Sequence, residues 1–98
     1  FNTPNTYGIV VLDKVLSWVE RNGGLDGAVR GNQKKSGLIY DMLDGSDFWR
    51  PHAEVGSRSM MNVTWRLADE SLEDVFLSEA ADSGMGGLKG HRSVGGIR

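Results

Sequence analysis

The apolar residues of this chain change period partway along it, and that change decides the class of fold open to it. Val11, Leu12, Val15, Leu16, Trp18 and Val19 recur at helical spacing and make one wide apolar face. Asn22-Gly23-Gly24 ends the run, because glycine tolerates the left-handed conformation of a helix cap. Leu25, Val29, Ile39, Met42 and Leu43 predict a second helix, interrupted by the polar stretch Gly31 to Ser36. The short connection predicts an antiparallel helical pair. Turn chemistry at Asp44-Gly45-Ser46-Asp47 then introduces a short strand beginning at Phe48-Trp49, followed by a loop over Pro51 to Ser57. From Met61 the period becomes two, with Met61, Val63, Trp65 and Leu67 alternating with Asn62, Thr64 and Arg66, as on a half-buried strand. Leu72, Val75, Phe76 and Ala80 return to helical spacing. Ser71 with Asp74 gives that third helix a capping box, and Gly84 caps its other end. Helices, strands and a further helix in this order predict an α+β domain, with Trp18, Met42, Phe76 and Trp65 packed in its core.

The bulk properties exclude several functions. The chain has 98 residues, a formal net charge of −2 and no cysteine. A general nucleic-acid binder would carry a basic face, so that class is disfavoured. Without cysteine there is neither a disulfide nor a thiolate metal site, and an intracellular setting fits. The apolar run Ile9 to Leu12 is far too short for a membrane span or a signal-peptide core. His52 and His91 are the only histidines and lie far apart in the sequence, which leaves little for a metal. His52, beside Pro51, reads as a loop residue. Asn62-Val63-Thr64 fits a glycosylation sequon but falls inside the expected strand, so chance explains it. No nucleophile–base pair assembles from serine and these two histidines. The chain begins at Phe1 and stops at Arg98 after Gly95-Gly96, and both ends read as cut from something longer.

The sharpest local contrast is one of charge. Leu67 to Ser83 holds six acids and no Lys or Arg. Gly84 to Arg98 holds no acid, but Lys89, His91, Arg92 and Arg98 among Gly84, Gly86, Gly87, Gly90, Gly95 and Gly96. Acids near a helix start suit its dipole. The tail pairs fixed positive charge with glycines that let backbone N–H groups approach a ligand closely, which is the chemistry of an anion site. Arg92 offers a planar fork of donors matched to phosphate or carboxylate, and His91 adds a donor or a charge beside it. A solvated basic loop is the competing account of the same residues. Neither nucleotide fingerprint fits: G-x-G-x-x-G counted from Gly84 would need glycine where Lys89 stands, and there is no G-x-x-x-x-G-K-[ST].

Two strings carry the reading further. Asn2-Thr3-Pro4-Asn5-Thr6-Tyr7 and Lys89-Gly90-His91-Arg92-Ser93-Val94-Gly95-Gly96-Ile97-Arg98 resemble signatures of phosphoserine aminotransferases. Between them, Arg58-Ser59, Met61-Asn62-Val63 and Arg66-Leu67-Ala68-Asp69 resemble that family's central strand and the turn into its next helix. Thr64-Trp65 departs from a usual Pro-Phe, Met60 from a basic or polar residue and Val10 from an aromatic. Met85-Gly86-Gly87 is richer in glycine than the usual apolar segment.

The resemblance implies the small C-terminal domain of a fold-type I aminotransferase, cytoplasmic and homodimeric, using pyridoxal 5'-phosphate (PLP). Within it, residues 1–7 would be a cofactor-phosphate loop, 8–44 a helical pair and 45–98 an α+β part with the anion-binding tail. The implied reaction moves an amino group between L-glutamate and 3-phosphohydroxypyruvate, giving 2-oxoglutarate and O-phosphoserine in serine biosynthesis. Many bacterial members also serve pyridoxine synthesis. Matched position by position, Asn2 and Thr3 would bind the cofactor phosphate of the neighbouring subunit, His91 and Arg92 the substrate phosphate, and Arg98 the substrate α-carboxylate. The lysine that carries the cofactor would precede this segment, since Lys89 belongs to the later glycine-rich motif. The isolated segment is therefore expected to be inactive, and no catalytic residue is assigned within it. The alternative is a free-standing phosphate- or carboxylate-binding module without catalysis.

Overall fold

A computed structural model describes residues 3–98, which form two compact units, one ending at Lys34 and one running from Lys35 to Arg98. The elements in chain order are helix α1 (Thr6–Arg21), helix α2 (Gly24–Asp44), strand β1 (Trp49–Pro51), strand β2 (Trp65–Leu67) and helix α3 (Glu73–Asp82). Single 3-10 turns at Val55–Ser57 and Glu70–Leu72 complete the set. The α+β expectation holds.

In the first unit, α1 begins inside the stretch read as a loop. The side-chain oxygen of Asn5 accepts the Gly8 N–H at 3.0 Å and caps the helix, so the loop ends at Asn5 rather than Tyr7. Asn22 closes the other end by donating its side-chain amide to the Trp18 carbonyl at 2.7 Å, and Gly23 takes a φ of 91°. No residue of α1 is buried, and Trp18 is 60% exposed, which corrects its assignment to the core. Leu25 and Val29, the apolar residues that follow in this unit, are themselves exposed and do not cover that face. Helix α2 runs without the expected break at Gly31 to Ser36. Gln33, Lys34 and Lys35 are unbranched and suit a helix, so the polarity there does not interrupt it. Met42, also assigned to the core, is 45% exposed.

The core belongs to the second unit. Leu43, Val63, Trp65, Leu67 and Ile97 form one buried cluster, with Tyr40, Trp49, Phe76, Leu77 and Leu88 packed against it. Leu43, Leu67 and Ile97 are almost wholly enclosed. Each such side chain stabilises the fold by about 1.5–3 kcal/mol relative to exposure. Trp65 and Phe76 take the packing roles expected of them. Phe76 meets the edge of Trp49 at a centroid distance of 5.5 Å.

The long alternating stretch yields a shorter strand than expected. β1 pairs antiparallel with β2 in the register Trp49↔Leu67, Arg50↔Arg66 and Pro51↔Trp65. Met61 to Val63 leave the ladder, with the Met61 and Asn62 N–H groups donating to the Ser59 hydroxyl instead, each at 3.1 Å. The like-charged pair Arg50 and Arg66 is relieved because each guanidinium turns elsewhere, Arg50 to the Asp47 carbonyl at 2.9 Å and Arg66 to Glu70 at 3.0 Å. The outer side of β2 is joined by Ile97, which forms single bridges to both Trp65 and Lys89.

The start of α3 also differs from expectation. Ser71 does not cap α3, whose N-cap position is Leu72 and has no side-chain cap. Asp69 instead caps the 3-10 turn just before it, its carboxylate accepting both the Ser71 N–H at 3.0 Å and the Ser71 hydroxyl at 2.6 Å. An ionised carboxylate accepts two donors at once, which a serine hydroxyl does less well. The other end follows the sequence, with Gly84 at a φ of 84°, its N–H on the Ala81 carbonyl and the Met85 N–H on the Ala80 carbonyl. That bond pair is a Schellman closure. Between these elements, Arg58 fastens the end of α2. Its guanidinium makes two bonds to Asp44, at 2.6 and 2.7 Å, and lies 4.6 Å from the Tyr40 ring centroid. The Tyr40 hydroxyl donates to the Ser59 carbonyl at 2.9 Å. Among the described residues, no helix is long and apolar enough to cross a membrane.

Candidate anion site

The basic tail folds back on itself beside β2. The Gly90 N–H donates to the Gly96 carbonyl at 2.7 Å and the Arg98 N–H to the Leu88 carbonyl at 2.8 Å, bringing the two arms of a hairpin together. At its tip the His91 carbonyl accepts the N–H groups of Val94, at 2.9 Å, and Gly95, at 2.8 Å. The exchange of N–H···O bonds between Ile97 and Trp65, at 2.8 and 3.1 Å, docks the hairpin onto the sheet. Two glycines are required by this path. A Cβ at Gly90 would meet the Gly95 and Gly96 carbonyl oxygens, the latter at 2.6 Å. Gly96 has a φ of 75°, and a Cβ there would stand 2.9 Å from the Trp65 carbonyl oxygen.

The hairpin and β2 enclose a cavity of about 230 Å³. His91 and Arg98 both line it, together with His52, Thr64, Arg66 and Gly95. The fold thus brings two of the expected site residues to one cavity although six residues separate them in the sequence. Arg92 follows His91 at the hairpin tip, is exposed, and does not line the cavity. Thr3 is exposed in the first unit, and Asn2 lies outside the described residues. Lys89 does not line the cavity, and its ammonium lies 3.8 Å from Asp74.

His52 and Arg66 were not singled out from the sequence. His52 reaches the cavity because its N–H continues the sheet, donating to the Thr64 carbonyl at 3.1 Å. That pairing is a long-range register, and nothing in the local Pro51-His52 context announces it. Arg66 sits between the buried Trp65 and Leu67 and therefore faces the other side of the strand, towards the hairpin. The period-2 alternation contained that signal.

The charges of the site are unequally available. Arg66 gives Nη1 to Glu70 at 3.0 Å and Nη2 to the Val94 carbonyl at 2.5 Å, so its donors are turned to structure. No side chain of the described residues forms an ion pair with Arg98, Arg92 or His91. Arg98 and His91, like His52, line the cavity with no ion-paired acid among the described residues. No lysine lines it, so its residues fit an anionic group held by hydrogen bonds and offer no amine for covalent attachment of an aldehyde cofactor. Beyond the site, the hydrogen bond from Arg58 holds the Asp44 carboxyl below the usual aspartate range, and the bonds from Ser71 do the same for Asp69. Among the described residues no group of three or more His, Cys, Asp or Glu is placed to hold a metal ion.

No family model matches the chain. Across 99 aligned positions it is 52% identical to the phosphoserine aminotransferase of Lysinibacillus sphaericus, matching 100% of this chain and 27% of that protein. The solved phosphoserine aminotransferase from Bacillus circulans subsp. alkalophilus superposes with a TM-score of 0.95 at 51% identity, over 99% of this chain and 27% of that one. The PLP-bound phosphoserine aminotransferase from Trichomonas vaginalis superposes with a TM-score of 0.90 at 27% identity, over 99% of this chain and 28% of that one. The chain spans about 27% of the length of the curated relatives it matches. Sequence and fold agree along its whole length, and the chain is similar throughout to one part, about 27%, of phosphoserine aminotransferases.

Proposed function

We propose that this chain supplies the substrate-anion clamp of a PLP-dependent transaminase that exchanges an amino group between L-glutamate and 3-phosphohydroxypyruvate. The observation that carries the reading is that His91 and Arg98 line one cavity, in a chain 52% identical along its length to part of a phosphoserine aminotransferase. PLP, when bound, supplies the electron sink for breaking the bonds of the amino-acid α-carbon. The residues of this chain do the holding. The Arg98 guanidinium takes the α-carboxylate in a two-point grip, which fixes the orientation of the α-carbon. His91 donates to the substrate phosphate, and Arg92, beside it on the hairpin tip, adds a charged fork. The hydroxyl of Thr3 and the amide of Asn2 are donors suited to the cofactor phosphate of a neighbouring subunit. Under this reading the enzyme is a cytoplasmic homodimer, and the amine that carries the cofactor comes from outside these 98 residues.

Steady-state transamination by the complete gene product, followed with each substrate varied in turn, tests the assignment. Arg98→Ala is expected to raise KM for both phosphoserine and glutamate, because both present an α-carboxylate. His91→Ala is expected to raise it for the phosphorylated partner alone. Equal losses for both substrates in His91→Ala would reject the phosphate role of His91. Absence of transamination in the unmodified protein would reject the reading itself.

A further inference from the structure

We infer that Ser93 is a positioning residue, fixing the His91 imidazole as its neutral Nε2–H tautomer so that His91 presents one directed donor to the anion in the cavity. This rests on the proposed phosphate role of His91. The inference begins from two contacts on the same ring nitrogen. His91 Nδ1 lies 2.7 Å from the Ser93 hydroxyl and accepts the Ser93 backbone N–H at 3.3 Å. A backbone amide can only donate, so Nδ1 carries a lone pair and no proton. The hydroxyl, which can play either part, then also donates to Nδ1. A neutral imidazole has one N–H, which falls to Nε2.

The hairpin tip enforces this arrangement. The N–H groups of Val94 and Gly95 both close on the His91 carbonyl, curling residues 91–95 so that the Ser93 amide meets the ring of His91. A proton on Nδ1 would face a donor that has no way of turning round, whereas the hydroxyl alone could reverse. The amide therefore fixes the sense of the selection, and the hydroxyl, at the shorter distance, supplies most of its strength. No other described residue hydrogen-bonds the His91 ring, and His91 lines the cavity, which leaves the Nε2–H for a ligand. A phosphate oxygen needs a donor there, and the Nδ1–H tautomer would present a lone pair to it instead.

The test uses the complete gene product with ring-15N histidine, the His91 signals being assigned by their loss in His91→Gln. The expected spectrum shows an unprotonated-type Nδ1 and a protonated Nε2. In Ser93→Ala, tautomer exchange is expected to appear, with KM for the phosphorylated substrate rising about three- to tenfold, the range of one neutral hydrogen bond. The glutamate KM and kcat should hold, and Ser93→Thr, which keeps the hydroxyl, should restore both spectrum and KM. A protonated Nδ1 in the unmodified protein would overturn the inference, as would a Ser93→Ala protein with unchanged tautomer and KM. Lack of transamination would count against the functional reading, while the nitrogen shifts would still decide the role of Ser93.

Discussion

Arg66 holds the carbonyl oxygen of Val94 at 2.5 Å, linking β2 to the tip of the hairpin that carries His91 and Arg92. Glu70, one turn further along the chain, takes the other side of the same guanidinium at 3.0 Å. A planar fork can satisfy both acceptors at once, and a lysine ammonium on a flexible stem cannot reproduce that geometry. The residues proposed to grip phosphate are thus held from the sheet by a neighbour that spends its own donors on structure.

Arg66→Ala should therefore loosen the hairpin tip without removing a proposed ligand contact. A hydrogen bond from a charged donor is worth about 1.5–3 kcal/mol, which sets the expected rise in KM for the phosphorylated substrate at about tenfold or more. Arg66→Lys should recover only part of it. Steady-state kinetics of the complete gene product check this, and an unchanged KM in Arg66→Ala would show that the hairpin keeps its shape unaided.

Gly90→Ala should be more damaging than its small volume suggests. The added methyl would meet two carbonyl oxygens of the opposite arm, and backbone on both sides leaves little room to yield. Opening of the hairpin would be read as faster amide exchange at Gly90 and Arg98, whose N–H groups cross between the arms. Gly87→Ala is a contrasting case, since φ at Gly87 is 76° but a Cβ there meets nothing within 4 Å. Its expected cost is the backbone preference alone, about 1 kcal/mol.

Much of this was legible in the sequence, and the exceptions share a physical cause. The period change announced β2 and α3, and the charge switch announced the tail, because both are local patterns. The turn at Asn22-Gly23 followed from glycine stereochemistry. Most of what escaped was set by partners distant in the chain. Met61 to Val63 alternate like a strand, yet pairing with the β1 side ends at the bond from His52 to Thr64. Trp18 has helical spacing, but nothing in residues 3–34 buries it. Ser71 does not cap α3 because its hydroxyl and N–H are taken by Asp69, which caps the 3-10 turn before that helix. His52 entered the site through strand register, a long-range outcome, and Arg92 was left off the cavity lining at the tip, which curls through bonds three and four residues apart.

Leu67→Ala is expected to destabilise the second unit by about 2–5 kcal/mol, the range for emptying an enclosed leucine site. Leu67 is 2% exposed and sits in the cluster with Leu43, Trp65 and Ile97. Ile97 docks the hairpin, so the cavity left behind lies one residue from Arg98. Denaturant unfolding should show the loss, and a substitution costing under 1 kcal/mol would mean that Trp49 or Phe76 moves in to fill the space.

The pairing of Arg58 with Asp44 gives the fold a dependence on acid whose sign can be worked out. The hydrogen bond from Arg58 holds the Asp44 carboxyl below its ordinary range, with the charge of Arg58 adding to it. The proton is therefore bound more weakly in the folded chain than in the unfolded one. Such a group contributes stability that is fully present above the ordinary aspartate pKa, about 4, and is lost as pH falls through the lowered folded value. Asp69, lowered by the Ser71 hydroxyl and N–H, acts in the same direction. Amide exchange across residues 55–62, the segment that Arg58 anchors to α2, should accelerate over that window relative to the intrinsic rate. Asp44→Asn removes the titrating group, so exchange there should be faster at neutral pH and should change less on acidification. A segment that responds to acid identically in Asp44→Asn would assign the effect to Asp69 and α3 instead.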